Sequence, residues 1–246
     1  MTRWPAGYAL KQFEEIDSTN EEAKRLSAAG EPGPVWIVAD RQTAGRGRRG
    51  RLWQSPLGNL AATLFLRPEK PAGPCAQLSF VAALAVSDVV SRLAPSADVR
   101  VKWPNDVLAN DRKISGILLE SASSGGGRLE WLAVGIGINL AHFPLDTEFP
   151  ATSLFELGVD GVAPREALGH LAAAWSQWYD VWRDHGFVQI RDVWLSRAAR
   201  LGGRIRARLA SGEASGVFEG IDEDGALILR ESLGRARAIA AGEVFF

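Results

Sequence analysis

The stretch that most restricts what this chain can become runs from Ala39 to Trp53, Ala-Asp-Arg-Gln-Thr-Ala-Gly-Arg-Gly-Arg-Arg-Gly-Arg-Leu-Trp. Three glycines (Gly45, Gly47, Gly50) alternate with four arginines (Arg46, Arg48, Arg49, Arg51). Glycine costs helices and strands up to about 1 kcal/mol relative to alanine, so neither element suits this segment. A loop does, with a backbone that a ligand can approach closely and guanidinium forks that grip an anion. The run can also be read as a fragment of an RNA-binding arginine-glycine segment or as a solvated loop. An anion-wrapping loop is favoured, because strands flank it closely and the rest of the chain is neutral. Lys and Arg total 28 against 29 Asp and Glu, a net charge of -1, so any attraction for anions has to be local.

With 246 residues, 46% of them apolar, the chain can bury an ordinary core and carry one large and one small domain. Its single cysteine, Cys75, excludes an internal disulfide and a thiolate zinc site, and its three histidines have no ligand spacing. A cytoplasmic address is the expectation. The N-terminal residues carry no apolar core of a signal peptide, and no run is expected to span a bilayer.

Tyr8 to Ile16 reads as a strand, followed by Asp17-Ser18-Thr19-Asn20 as the cap of a short helix with acids in its first turn. Val35 to Asp40 and Asn59 to Leu66 read as strands on either side of the arginine loop, and Ala76 to Leu93 as a core-facing helix. Val99 to Trp103 returns as a strand, cut off by Pro104-Asn105-Asp106. Ile114 to Glu120 and Leu129 to Leu140 form a hairpin around the turn at residues 123–127. Pro164 to His185 is an amphipathic helix with proline near its start and Gly186 past its end, and Val188 to Arg200 adds a shorter one. Four brief alternating runs from Arg204 to Ile239 suit a small β-barrel, with a domain boundary near residue 200. Residue patterns therefore support an α+β catalytic domain over 1–200 and a β-barrel over 201–246.

Lys102-Trp103-Pro104-Asn105-Asp106, followed by Arg112-Lys113-Ile114-Ser115-Gly116, forms a second constellation. A hairpin brings Lys113 to the strand end that carries Asp106, which leaves Asp106 to hold a metal or take a proton.

In this order and spacing the motifs resemble those of biotin protein ligases from about Phe13 to Val244: Asp17-Ser18-Thr19-Asn20, the loop from Gln42 to Arg51, Lys102 to Asp106, Arg112 to Leu118, and Gly135-Ile136-Gly137-Ile138-Asn139. The resemblance implies a mixed sheet with helices packed on it, like class II aminoacyl-tRNA synthetases, and an SH3-like C-terminal barrel. It implies ATP-dependent attachment of biotin to a lysine of a biotin carboxyl carrier domain through biotinyl-5′-AMP, with Mg²⁺. By the same match, Ser18, Thr19, Asn20, Gln42, Gly45, Arg46, Gly47, Arg48, Lys113 and Gly116 surround biotin. Arg48, Arg49, Arg51, Trp53, Lys102, Asn105, Asp106 and Asn139 surround ATP or the adenylate. Lys113, Arg48 and Asp106 are the catalytic candidates, Asp106 as a base toward the acceptor lysine, and no metal ligand is singled out. The catalytic signature starts within twenty residues, so a DNA-reading module is not expected. Neither a membrane partner nor a choice between monomer and homodimer follows. Two rival readings are a lipoate or octanoate ligase of the same superfamily and a non-catalytic RNA-binding module.

Overall fold

The computed structural model describes residues 3–125, 127–232 and 234–246. In chain order it contains β1 (Ala9–Ile16), α1 (Thr19–Ala28), β2 (Val35–Gln42), β3 (Leu60–Leu66), α2 (Ala72–Ala76), α3 (Leu78–Leu93), β4 (Val99–Lys102), β5 (Asp106–Ala109), β6 (Arg112–Gly125), β7 (Arg128–Ile138), α4 (Pro164–His185) and α5 (Phe187–Ser196). The short strands β8 (Arg204–Leu209), β9 (Gly212–Ile221), β10 (Leu227–Arg230), β11 (Ala236–Ile239) and β12 (Glu243–Phe245) follow. The first seven strands make one sheet in the order β1-β2-β3-β7-β6-β5-β4, parallel between β1 and β2 and antiparallel elsewhere. The last five make an antiparallel sheet in the order β11-β10-β9-β8-β12. The mixed α+β architecture is the one expected.

Side-chain alternation along the strands divides the molecule into two faces. Trp36, Val38, Leu64, Leu132, Val134 and Ile136 point to the large core shared with α3, α4 and α5. Their neighbours Val35, Ile37, Phe65, Trp131 and Ala133 point the other way, where they cover Ala23 and Leu26 of α1. On that second face β7 continues from Trp131 and Ala133 into Gly135 and Gly137, opposite Leu118 and Gly116 of β6. The side-chain layer ends there and a cleft begins.

The expected hairpin is β6–β7, in register from Ser115↔Ile138 to Ala122↔Trp131 and irregular from there to Gly125↔Arg128. Within its turn, Gly126 lies outside the described residues. The structure adds a second hairpin, β5–β6, in which Asp106 begins a four-residue strand instead of lying across the end of β4. Asn110 (φ 51) and Asp111 (φ 59) turn it in the left-handed region that a tight two-residue hairpin loop demands.

The apolar helix starts earlier than expected, at Ala72, with α2 and α3 meeting at Gln77. Together they are long and apolar enough to cross a bilayer by length and composition, which corrects the expectation that no run is. Their most apolar window is 72% buried within the molecule, so the hydrophobicity serves the core.

Candidate active site

A cleft of about 460 Å³ opens on the glycine-floored face of the large sheet. Its inner end is built on the start of α1. Ser18 has extended backbone (φ -156) and its hydroxyl accepts from the Asn20 N–H, so the cap turns Thr19 and Asn20 into the cleft. Gln42 Oε1 accepts from both the main-chain N–H (2.9 Å) and the hydroxyl (3.0 Å) of Thr19, while its Nε2 donates to Ser55 Oγ at 2.8 Å. Asn20 Nδ2 donates to Glu120 Oε2 (2.7 Å), and Asn20 Oδ1 accepts from the Thr63 hydroxyl (2.6 Å). Ser18, Thr19, Asn20 and Thr63 are all buried. Buried polar groups locked in this way present fixed donors and acceptors to a small polar ring.

The floor explains two glycines of β7. A Cβ on Gly135 would fall 2.4 Å from Asn20 Oδ1, and one on Gly137 would fall 2.3 Å from the Trp53 indole. Trp53 thus lies on the strands in mid-cleft, with Lys113 Nζ 5.8 Å from its ring centre.

Beyond Trp53 the charges concentrate. Lys113 Nζ lies 2.6 Å from Asp106 Oδ1, and Lys102 Nζ lies 3.2 Å from Asp106 Oδ2. Burial alone would raise the Asp106 carboxyl, but the two ammonium groups outweigh it and hold it below the usual carboxylate range. For Lys102 burial prevails over the attraction of Asp106, and its ammonium is pushed down. Phe149 covers it, with Lys102 Nζ 3.7 Å from the ring centre. Arg48 Nη1 donates to Asn105 Oδ1 (3.1 Å) and to the Gly242 carbonyl (3.3 Å). Burial also lowers the Arg48 guanidinium from its usual value.

Most of the expected residues meet here. Ser18, Thr19, Asn20, Gln42, Arg46, Gly47, Arg48, Arg51, Trp53, Lys102, Asn105, Asp106, Lys113, Gly116 and Asn139 all line the cleft. Two do not. A Cβ on Gly45 would meet the Trp53 carbonyl at 2.5 Å and Gln42 Nε2 at 2.9 Å, so Gly45 supports the lining from behind. Arg49 occupies the left-handed turn at the loop's tip (φ 58) and faces Glu243.

Three other expectations change in kind. Arg46 is paired to Glu21 and Glu120 on the cleft wall, so its charge is already matched. Lys102 lines the cleft from a buried position beneath Phe149, with Asp106 as its partner. Asp106 is a weak candidate base, since two ammonium groups hold its oxygens ionised. The arginine segment is also not featureless: Arg48–Gly50 forms a 3₁₀ turn and Arg46 bridges to Leu52.

Sequence reasoning missed Thr63 and Glu120, which fix Asn20 from β3 and β6, and it missed the far wall formed by Phe149 and β12. Thr63 inside otherwise apolar β3 and Glu120 at the end of the apolar run Ile117-Leu118-Leu119 were the available signals.

The biotin/lipoate A/B protein ligase family matches residues 12–139, and the biotin protein ligase C-terminal domain matches residues 201–246. A biotin–acetyl-CoA-carboxylase ligase of Paracoccus denitrificans is 50% identical over 236 residues, covering 94% of this chain and 97% of that protein. The bifunctional ligase/repressor BirA of Bacillus subtilis is 34% identical over 96% of this chain and 73% of its own length. A biotin protein ligase from Aquifex aeolicus, solved in complex with biotin and ATP, superposes with a TM-score of 0.82 at 29% identity, over 96% of this chain and 97% of that one. With its motifs meeting in one cleft and these similarities running nearly end to end, the chain belongs to the biotin protein ligase family.

Proposed function

We propose that this protein activates biotin with ATP and passes the biotinyl group to a lysine of a biotin carboxyl carrier domain. The observation that carries the reading is the division of one cleft into a buried neutral polar end and a cationic end, with Lys113 at the junction. Biotin's ureido ring offers two N–H donors and a carbonyl, which the Ser18–Asn20 cap and Gln42 can pair, with Thr63 holding Asn20 in place from behind. Its carboxylate then lies toward Lys113, and the triphosphate toward Arg48 and Arg51.

Like charges about 4 Å apart repel by roughly 4 kcal/mol at an effective dielectric near 20. Bringing a carboxylate to the α-phosphorus therefore requires fixed cations, and Lys113 and Arg48 supply them. The carboxylate oxygen displaces pyrophosphate to give biotinyl-5′-AMP, and the acceptor amine later displaces AMP. Asp106 orients Lys113 through their 2.6 Å contact. Among the described residues no group of three His, Cys, Asp or Glu could hold a metal. Of the four carboxylates lining the cleft, Asp106, Glu148 and Glu243 are each paired with a cation, which leaves only the exposed Asp146. The residues thus do not form a resident Mg²⁺ site, and any Mg²⁺ arrives on the nucleotide's phosphates.

The adenylate is a mixed anhydride that water destroys, so the arginine loop has to cover it. We read residues 1–200 as the catalytic unit and 201–246 as the appended one, working in the reducing cytoplasm that the single buried Cys75 suits.

The test is pyrophosphate release from ATP with biotin or lipoate as the acid, followed by mass analysis of a carrier domain for the added acyl group. Release with biotin and a carrier heavier by one biotinyl group is the expected result. Release with lipoate alone would move the protein to the sister activity.

A further inference from the structure

Three arginines of the loop end on Glu243, the first residue of the last strand, and on Gly242 just before it. Arg51 Nη2 donates to Glu243 Oε2 at 2.5 Å, Arg49 Nη1 lies 3.7 Å from the same oxygen, and Arg48 Nη1 reaches the Gly242 carbonyl. The Glu243 side chain is 15% exposed, against 40% for Arg49 and 52% for Arg51, so the carboxylate is the fixed end of the contact.

Its fixity has a structural cause. β12 pairs with β8, Glu243 opposite Arg208, and Val244 beside it belongs to the large core. Beneath Gly242 lies Trp103, whose indole N–H donates to the Gly225 carbonyl at 3.0 Å. The anchor is therefore part of the same packed body as the cleft floor, and it holds the tip of the loop, while Arg46 nearer the loop's start makes separate contacts with Glu21 and Glu120.

A negative charge at the mouth of a cleft meant for anions is a liability unless it has a task. One carboxylate against Arg49 and Arg51 leaves an excess positive charge, and Arg48 adds to it, so the mouth stays attractive to phosphate.

We propose that Glu243 is a positioning residue that clasps the arginine loop to the C-terminal strand and so holds the cover over the reaction intermediate. The retained species is the adenylate of the ligase reading, on which this role rests. The clasp itself is a property of the ligand-free protein and can be tested without that reading. The rival role for the same contact is that of a placeholder, in which Glu243 fills the phosphate's place until ATP displaces it. The Arg48 bond to the Gly242 main chain favours a clasp, since a backbone carbonyl does not stand in for phosphate.

The experiment uses the full chain with Glu243→Gln and Glu243→Asp. In the absence of ligands, trypsin should cut Glu243→Gln within the loop about three- to tenfold faster than wild type, with Glu243→Asp between them, as loss of a charge-assisted pair predicts. Preformed biotinyl adenylate should dissociate faster from Glu243→Gln by a similar factor, while the KM for ATP does not fall. In an Arg51→Gln background the same change should have less than about a twofold effect, because its main partner is gone. Unchanged loop cleavage overturns the clasp. So does an undiminished effect in the Arg51→Gln background, which a merely structural Glu243 would give. A lower KM for ATP with unaltered retention identifies the placeholder instead. If wild type makes no adenylate, the ligase reading fails, and the tryptic comparison still decides the clasp.

Discussion

Asp106 sits between two ammonium groups, and that position sets what its replacement does. Asp106→Asn would leave Lys102 buried beside Lys113 without the charge that compensates both. Breaking such a buried pair typically costs about 3–5 kcal/mol. We expect a lower Tm, and adenylate formation and acyl transfer falling together, measured as separate half-reactions. Loss confined to acyl transfer would restore the role of base. At the inner end, a methyl group on Gly135 would come within 2.4 Å of Asn20 Oδ1 and force that amide off Thr63 and Glu120. Gly135→Ala should therefore raise the KM for biotin at least about tenfold, on the scale of one misplaced buried polar group, while leaving the KM for ATP nearly unchanged. Asp17 tests the acid side. Hydrogen bonds from Arg25 lead the causes that hold its carboxyl down to about 2. A depressed carboxyl contributes stability that is present above about pH 4 and is lost as pH falls toward 2. The pair is nearly half exposed, so the contribution stays under about 1 kcal/mol. Asp17→Asn should flatten that part of the Tm–pH profile, and coincident profiles would refute the assignment. Single residues such as Ser18, Gln42 and Lys113 were legible because each stands in a motif. Thr63 and Glu120 were not, because their meaning lies in Asn20, 43 and 100 positions away.

The elements differ in how plainly the residues announce them. α4 has proline at its start, glycine at its end and one apolar face, and it was placed at Pro164–His185 from pattern alone. β5 is four residues long and has no period to read, yet Val107-Leu108-Ala109 is bracketed by Pro104-Asn105 and Asn110-Asp111, which is the signature of two turns. That strand places Asp106 and Lys113 in one tight hairpin, with Leu108 opposite Lys113. Glycine-rich composition reports backbone freedom and so points to a mobile loop, whereas the 3₁₀ turn at Arg48–Gly50 is followed at once by Arg51, which pairs with Glu243 almost two hundred residues later. A loop held by ion pairs at an exposed mouth should respond to ligand. Biotin and ATP together should slow tryptic cleavage after Arg48, Arg49 and Arg51 more than either compound alone, because only the pair yields the covered intermediate. Equal protection by biotin alone would place the ordering event before nucleotide binds.

At the scale of the molecule, the second sheet is part of the first one's interior. Ile205, Phe218, Leu227 and Val244 share one buried cluster with α3, α4 and the large sheet, and Trp194 packs against Phe218 with ring centres 6.5 Å apart. The composition change near residue 200 suggests two bodies, since short alternating runs read as a small unit of their own, but it is silent on how much apolar surface they share. Gly225 is where the two are locked together. Its φ of +86 lies in the left-handed region, its carbonyl accepts from Trp103, and a Cβ there would fall 2.7 Å from the Phe80 ring. Gly225→Ala would combine backbone strain with a collision in the core, roughly 2–4 kcal/mol in all. At this chain length each kcal/mol shifts Tm by about 2–4 °C, so a fall of about 4–16 °C is expected. Because the buried cluster is continuous, both sheets should melt in one calorimetric transition in wild type and variant alike. Two separate transitions in wild type would mean that the C-terminal sheet opens independently of the core, and a wall of the cleft with it.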